Sequence, residues 1–171
     1  LFVIMGIINY NELVNVYYFV AIILCFFGDF FLGFENKNKE KKFLPFGLVS
    51  FLLAHVMFVY ACKDVVVYQT VYLLYPILST VFAVVFFKKV FDSKKSYIYG
   101  VVIYNFVVNC FLLCSILTYG KFNNNLLIGG VLFWLSDMLL SFVYFKKNTP
   151  KIVRILSTLA YFSGMFFLVN L

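Results

Sequence analysis

Charged residues are scarce in this sequence of 171 residues. Asp, Glu, Lys and Arg together make up 12% of the chain, whereas hydrophobic residues make up 64%. Soluble domains contain about 25% charged and about 45–50% apolar residues, so a water-soluble fold is close to excluded. The 14 Lys and Arg outnumber the 7 Asp and Glu, but they occur in short clusters between long apolar runs, unlike the basic surface of a nucleic-acid-binding module. The sequence therefore indicates a polytopic membrane protein without a nucleic-acid partner.

Short motifs of soluble enzymes are missing too. Cys25, Cys62, Cys110 and Cys114 all lie in apolar segments, and no two of them form a C-x-x-C pair. They are interpreted as small packing residues and not as metal ligands or disulfide partners. The sequence also contains no phosphate-binding glycine loop, no G-x-S-x-G motif and no H-E-x-x-H motif. It therefore implies no cofactor and no metal.

Six apolar runs have the length of about 17–25 residues that a transmembrane helix requires. They are Leu13–Phe34, Phe43–Cys62, Val65–Phe87, Ser96–Thr118, Leu126–Phe145 and Ile152–Leu171. They lack the alternation that marks a membrane β-strand, and a helix satisfies its own backbone in lipid. Leu1–Ile8 is apolar but too short to cross, and we interpret it as the end of an earlier helix. The prediction is an all-α, polytopic transmembrane helix bundle in one domain, with six full helices and an N-terminal partial helix.

The basic residues divide unequally between the two ends of these runs. Lys63 and Lys121 fall on one side, against twelve basic residues on the other. The positive-inside rule predicts that the Lys-rich side is cytosolic, in an endomembrane or a bacterial inner membrane, and that the chain ends on the opposite side. Contact with anionic headgroups would explain these charges without a further partner. The Lys-rich side carries Lys37, Lys39, Lys41, Lys42, Lys88, Lys89, Lys94, Lys95, Lys146, Lys147, Lys151 and Arg154.

Two acids lie inside apolar runs, where an ionisable side chain costs about 2.5–3.5 kcal/mol and indicates a functional site. They are Asp29, which follows Gly28, and Asp137, which follows Ser136. At 1.5 Å per residue, Asp29 lies about 8 Å and Asp137 about 12 Å from the Lys-rich ends of their helices. Either one alone could simply form a hydrogen bond with a neighbouring helix. Two acids at similar depth favour a shared site.

Other polar residues fall in the same layer of the predicted membrane. His55, the single histidine, lies about 18 Å from the Lys-rich end of its helix and could equally be a structural core residue. Asn105 and Asn109, one helical turn apart, favour interhelical hydrogen bonds over chemistry. The remaining members of the layer are Tyr104, Ser157 and Tyr161.

Three segments carry a family pattern. They are Gly28-Asp29 followed by Leu32, Phe51 and His55 followed by Tyr60, and Gly129-Gly130 followed by Phe133 and Ser136-Asp137. These segments resemble the YhhN-like lysoplasmalogenases, which are integral membrane proteins of about eight helices. The chain departs from that family at Gly164 in the last helix, where the family usually has Gln.

The resemblance implies a hydrolase that cleaves the vinyl-ether bond of a lysoplasmalogen lipid to a fatty aldehyde and a glycerophospho-alcohol. Two neighbouring carboxyl groups tend to hold one proton between them, so one can protonate the alkene while the other activates water. We expect Asp137 to be the acid and Asp29 the base, with the reverse assignment also open. His55 and Tyr60 would position water or the phosphate. The further supporting residues are Tyr104, Asn105, Ser136 and Tyr161.

Two other functions stay open from the sequence. A transporter or channel could use Asp29, His55 and Asp137 to relay protons or bind a cation. That function predicts polar residues at both membrane faces, whereas the half of the bundle away from the Lys-rich side is nearly all apolar. A family member without activity could bind lysolipid without turning it over.

Overall fold

The computed structural model describes residues 2–8, 16–38, 43–63, 66, 69–90, 97–119, 124–146 and 148–170. Within these ranges the chain forms seven α-helices and one 3₁₀ turn, which confirms the all-α prediction. The helices are α1 (Phe2–Ile8), α2 (Val16–Asn38), α3 (Leu44–Ala61), α4 (Leu74–Val90), α5 (Tyr97–Leu117), α6 (Asn125–Phe145) and α7 (Lys151–Val169), and the 3₁₀ turn covers Thr70–Leu73.

Each of the six predicted runs coincides with one helix from α2 to α7, and the predicted partial helix coincides with α1. The predicted start at Leu13 lies outside the described residues. The run predicted from Val65 differs most, because Val66 and Gln69 are not helical and α4 begins only after the 3₁₀ turn. Pro76 stands in the first turn of α4, where a residue without a backbone N–H costs no helical hydrogen bond.

Five of the described helical segments are long and apolar enough to span a bilayer. They are Val16–Phe34, Leu44–Ala61, Thr70–Phe87, Asn125–Phe145 and Lys151–Val169, and the apolar part of α5, Val102–Leu117, is shorter. Their outward faces are apolar as well, and the side chains of Phe82 and Leu78 are 71% and 65% exposed. Large apolar side chains on an outer surface are suited to lipid contact. These helices indicate an integral membrane protein.

The chain divides into two compact units, Leu1–Asp64 and Val65–Leu171, and the prediction of a single domain stays a prediction. In the first unit α2 and α3 are antiparallel. The ring centroids of Tyr18 and Phe58 lie 5.0 Å apart near one end of the pair, and those of Phe34 and Phe43 lie 5.8 Å apart at the other.

The pair α2–α3 is held close by glycines on both helices. A β-carbon on Gly28 would lie 2.6 Å from the ring of Phe51. A β-carbon on Gly47 would lie 2.7 Å from the side chain of Leu32 and 3.4 Å from the carbonyl oxygen of Gly28. Small residues at a helix crossing let two backbones approach in lipid. This crossing fixes the position of Asp29, the next residue after Gly28.

In the second unit α6 and α7 form an antiparallel pair around a tight turn. The hydroxyl of Thr149 donates to the carbonyl of Phe142 at 2.7 Å, and Asn148 adopts a φ of 57°, a conformation that Asn tolerates better than most residues. At the other end of the pair, the side-chain amide of Asn125 donates to the carbonyl of Asn170. Both ends of the two helices are therefore fixed by side-chain hydrogen bonds.

The helices α4 and α5 pack in the same unit as this pair. The rings of Phe111 on α5 and Phe133 on α6 lie 6.5 Å apart, and those of Phe87 on α4 and Phe145 on α6 lie 5.3 Å apart. The end of α4 therefore lies beside the end of α6, where α7 also begins. The exposed basic residues at this end are Lys89, Lys146, Lys151 and Arg154.

Lys89, Lys146, Lys151 and Arg154 belong to the Lys-rich side of the prediction, and the structure places them at one end of the second unit. Seven of the basic residues used in the prediction of orientation lie outside the described residues, namely Lys39, Lys41, Lys42, Lys94, Lys95, Lys121 and Lys147. That the Lys-rich side is cytosolic stays a prediction.

Candidate functional site

Asp137 lies inside the second unit, on a membrane-spanning helix. Its side chain is only 8% exposed, and the hydroxyl of Tyr104 on α5 interacts with its carboxyl group. The helices α5 and α6 pack together, and in the antiparallel register shown by the contact between Phe111 and Phe133 Tyr104 lies within about one helical turn of the level of Asp137. The structure thus brings these two predicted site residues together.

The side of α6 that packs against α7 contributes two more predicted residues. The hydroxyl of Ser157 on α7 donates to the backbone carbonyl of Ser136 at 3.1 Å, and both side chains are buried. One turn further along α7, the ring of Tyr161 lies 5.3 Å from that of Phe133. Asp137 therefore has a fixed helix on its other side as well.

A hydrogen-bond network centred on Asn109 lies one helical turn away. The side-chain oxygen of Asn109 accepts from the hydroxyl of Tyr75 at 3.2 Å, from that of Ser79 at 2.9 Å and from the indole nitrogen of Trp134 at 3.3 Å. Its amide nitrogen donates to the backbone carbonyl of Asn105 at 2.8 Å and to the side-chain oxygen of Asn105 at 2.9 Å. We call Asn109 and these four partners the Asn109 network. It joins α4, α5 and α6.

The interhelical role that the sequence suggested for Asn109 agrees with this network, but Tyr75, Ser79 and Trp134 were not among the predicted site residues. Each of them lies between 25 and 34 positions from Asn109 in the sequence. A polar side chain at helical spacing does not reveal a partner on another helix. The sequence does show that Tyr75, Ser79 and Trp134 are polar or amphipathic residues within apolar runs.

Asp29 lies in the first unit, and its side chain is exposed. The preceding Gly28 is packed against Phe51, so Asp29 is nearly level with the middle of α3. Asp29 shares an outward face of α2 with the exposed ring of Phe26 and with Gly33. Its surroundings within this unit therefore differ from those of the buried Asp137.

His55 lies on α3 in the first unit and is fully buried. Its Nδ1 atom lies 2.7 Å from the carbonyl oxygen of Phe51. Because a carbonyl can only accept, Nδ1 carries the proton, and in the neutral ring Nε2 is then the acceptor. His55 lies about 6–8 Å further along α3 than the level of Asp29. The structure gives His55 0% exposure, which suits a core residue better than one that positions a headgroup.

Tyr60 lies still further along α3, at the end opposite its start at Leu44. The ammonium of Lys63 lies 4.4 Å from the centroid of the Tyr60 ring and 3.4 Å from its hydroxyl oxygen. The ring of Tyr17 meets that of Tyr60 edge to face at 4.5 Å. Tyr60 is therefore part of a cluster at the end of the helix pair, and within the first unit the structure does not bring it beside Asp29.

The candidate site residues thus fall into two groups. Tyr104, Asn105, Ser136 and Tyr161 share the second unit with Asp137, whereas Asp29, His55 and Tyr60 belong to the first unit. The pairing of the two aspartates stays a prediction.

The whole chain was also compared with known proteins. The family model of the YhhN family matches residues 1–171. The chain belongs to the YhhN family. No curated protein and no solved structure matches it. The YhhN family includes lysoplasmalogenases, so membership suggests a hydrolase embedded in a membrane.

Gly164 is a position at which the resemblance to the family predicts Gln in place of Gly. A β-carbon there would lie 3.1 Å from the carbonyl oxygen of Gly129 and 3.1 Å from the backbone nitrogen of Phe133. The backbones of α6 and α7 therefore meet at Gly164, and a side chain at this position would require one of the two helices to shift by a few tenths of an ångström. Gly164 serves helix packing close to Phe133, one turn before Asp137.

Proposed function

We propose that this YhhN family member is a lysoplasmalogenase, which hydrolyses the vinyl-ether bond of a lysoplasmalogen. The proposal is carried by the buried carboxyl group of Asp137 and its interaction with the Tyr104 hydroxyl inside an apolar bundle. An acid within the membrane is costly, so it marks a functional site. Hydrolysis of a vinyl ether begins with proton transfer to carbon, which requires such an acid.

In the proposed reaction, Asp137 donates its proton to the alkene carbon that is not bonded to oxygen. A water molecule attacks the other carbon of the resulting oxocarbenium ion, and a carboxylate base accepts the proton of that water. The carbon–oxygen bond of the hemiacetal then breaks: the protonated base donates its proton to the leaving glycerol oxygen, and the carboxylate of Asp137 accepts the proton of the hemiacetal hydroxyl, which releases the fatty aldehyde and the glycerophospho-alcohol. One water is consumed, and the acid regains its proton in each cycle.

We propose Asp29 as the carboxylate that accepts the proton of the water. A base must reach the attacking water through a hydrogen bond, and the side chain of Asp29 is exposed whereas that of Asp137 is buried. Support for pairing the two comes from the sequence, which predicts similar depths for both acids.

The proposed substrate lies with its single chain against the apolar helix surfaces and with its headgroup at the Lys-rich end. Lys151 and Arg154 are exposed in the first turns of α7, where positive charges can bind a lipid phosphate. Asp137 precedes Phe145, the last residue of α6, by about 12 Å along the helix. A lipid held at this end would present the bonds next to its glycerol, and not the end of its chain, to Asp137.

The test of this proposal is aldehyde release by the purified, detergent-solubilised protein. We expect fatty aldehyde from a lysoplasmalogen and none from the matched lysolipid with a saturated alkyl ether, because the saturated ether has no alkene to protonate. The glycerophospho-alcohol should appear in equal amount. Absence of aldehyde from a folded, monodisperse sample would refute the proposal, and proton flux in liposomes without lipid turnover would favour a transporter instead.

Replacement of Tyr104 by Phe should lower kcat for aldehyde release. The substitution removes only the hydroxyl that interacts with Asp137, and a hydrogen bond contributes about 0.5–1.5 kcal/mol net, which corresponds to a fall of up to about tenfold. Tyr99→Phe on the same helix is the matched control, since the Tyr99 side chain is 79% exposed. Equal kcat values for the two variants would contradict a role for the Tyr104 hydroxyl.

A further inference from the structure

The side chain of Asn109 uses its full hydrogen-bonding capacity within the second unit. Its oxygen accepts three hydrogen bonds and its amide nitrogen donates two, and its exposure is 0%. An amide offers two donors and an oxygen with two lone pairs, so the orientation of Asn109 is fixed. Such saturation exceeds what one interhelical contact requires.

The Asn109 network touches both sides of the contact between Asp137 and Tyr104. Trp134 precedes Asp137 by three residues on α6, so the two side chains lie on neighbouring turns of one face. Asn105 is the residue after Tyr104 on α5 and receives both hydrogen bonds from the amide nitrogen of Asn109. Asn109 is therefore bonded to the helix turn that carries each member of the contact.

The spacing between α5 and α6 is set separately, about one helical turn before Trp134. A β-carbon on Gly130 would lie 2.7 Å from the β-carbon of Ser115 and 3.8 Å from the ring of Phe111, so α5 and α6 are already in close contact there. Close contact fixes the distance between two helices but leaves their rotation to other groups. The hydrogen bond from Trp134 to Asn109 opposes rotation of α6 about its axis.

We infer that Asn109 is a positioning residue: through Trp134 and Asn105 it fixes the helix turns that carry Asp137 and Tyr104. This inference rests on the proposed function for its kinetic consequence but not for its geometry. Ser79 and Tyr75 complete the coordination of the Asn109 oxygen and connect it to α4. Misplacement of a reacting group by 1 Å can cost about 100-fold in rate.

The kinetic test is Asn109→Leu, which keeps the approximate size of the side chain and removes every hydrogen bond. We expect kcat for aldehyde release to fall about 10- to 100-fold with KM nearly unchanged. Thr80→Val is the matched control, because Thr80 is buried and its hydroxyl donates to Pro76 in its own helix. A change in KM alone, or an equal fall in kcat for Thr80→Val, would overturn the inference.

Two further measurements report on the geometry around Asp137 and do not require the protein to be active. Trp134 is the only tryptophan, so loss of its hydrogen bond in Asn109→Leu should move the emission to shorter wavelength. The rate at which dicyclohexylcarbodiimide labels Asp137, followed by peptide mass spectrometry, should rise at the same time. If neither the emission nor the labelling rate changes, the positioning role is wrong, whether or not the wild-type protein is active. If both change but the wild-type protein releases no aldehyde, only the proposed function is refuted.

Trp134→Phe is a second variant, which tests the inference even if Asn109→Leu does not fold. It keeps an aromatic ring and removes the indole donor to Asn109. We expect the same direction of change in kcat and in Asp137 labelling, and in the double variant no further loss beyond the larger single effect. Additive losses would show that Asn109 and Trp134 act independently and would overturn the inference.

Discussion

Asp137→Asn should abolish most of the aldehyde release from a lysoplasmalogen. The amide has nearly the same shape as the carboxyl group but cannot donate an acidic proton to carbon. General acid catalysis contributes about 100- to 10,000-fold, so we expect kcat to fall within that range. The measurement is aldehyde formed per protein molecule, with thermal stability in detergent followed in parallel.

The control for this variant is Asp92→Asn, which removes a carboxyl group that the sequence places between two apolar runs. Its kcat should equal that of the wild type. Asp29→Asn provides the comparison that tests the pairing of the two acids. If Asp29 is the base of the same reaction, its replacement should cause a similar loss, and the double variant should lose little more than either single variant.

Each outcome of this series has a distinct meaning. Retained activity in both Asp29→Asn and Asp137→Asn would refute the proposed mechanism. Loss of activity in Asp137→Asn alone would support Asp137 as the acid and would exclude Asp29 as the base. Multiplicative losses would indicate that the two carboxyl groups act independently and would contradict their pairing.

Gly164→Gln should destabilise the pair of α6 and α7. A side chain at this position meets the backbone of Gly129 and Phe133 at 3.1 Å and the β-carbon of Leu132 at 3.3 Å, and backbone atoms inside a helix cannot move aside. Overpacking of this kind costs about 1–3 kcal/mol. We expect a lower apparent Tm in detergent and, because Asp137 lies one turn beyond Phe133, a lower kcat as well.

The matched control is Gly100→Gln in the same unit. A β-carbon on Gly100 meets nothing within 4 Å in the described part of the chain, and a helix gains stability when Gly is replaced by a better helix former. Its Tm should stay the same or rise. Gly164→Ala should fall between the wild type and Gly164→Gln. An unchanged Tm for Gly164→Gln would contradict the close contact between the two helices.

The helices could be predicted from the sequence because lipid imposes a simple requirement. An apolar run of sufficient length must satisfy its own backbone and therefore becomes a helix, which suffices for α3, α6 and α7 almost to the residue. The boundary before α4 could not be predicted in the same way. Most residues before Thr70 are also apolar, and hydropathy does not distinguish the 3₁₀ turn at Thr70–Leu73 from the α-helix that follows it.

The candidate site was only partly predictable. The cost of an ionisable group in lipid identifies Asp29 and Asp137 in the sequence, but each follows a small residue in an apolar run and yet the two differ in burial. Burial depends on the rotation of each helix against its neighbours, which a single helix does not encode. His55 and Tyr60 illustrate the same point, since the side chain of His55 is buried and that of Tyr60 contacts Lys63.

The cluster of Tyr17, Tyr60 and Lys63 has a consequence for how the first unit responds to its membrane. An ammonium over two aromatic rings ties the ends of α2 and α3, and tyrosine and lysine are side chains that prefer the boundary between hydrocarbon and water. The glycine crossing at Gly28 and Gly47 opposes sliding of one helix past the other. In a thinner or thicker bilayer this pair must therefore tilt as one body, and the depth of Asp29 then varies with the angle of the pair and not with its register.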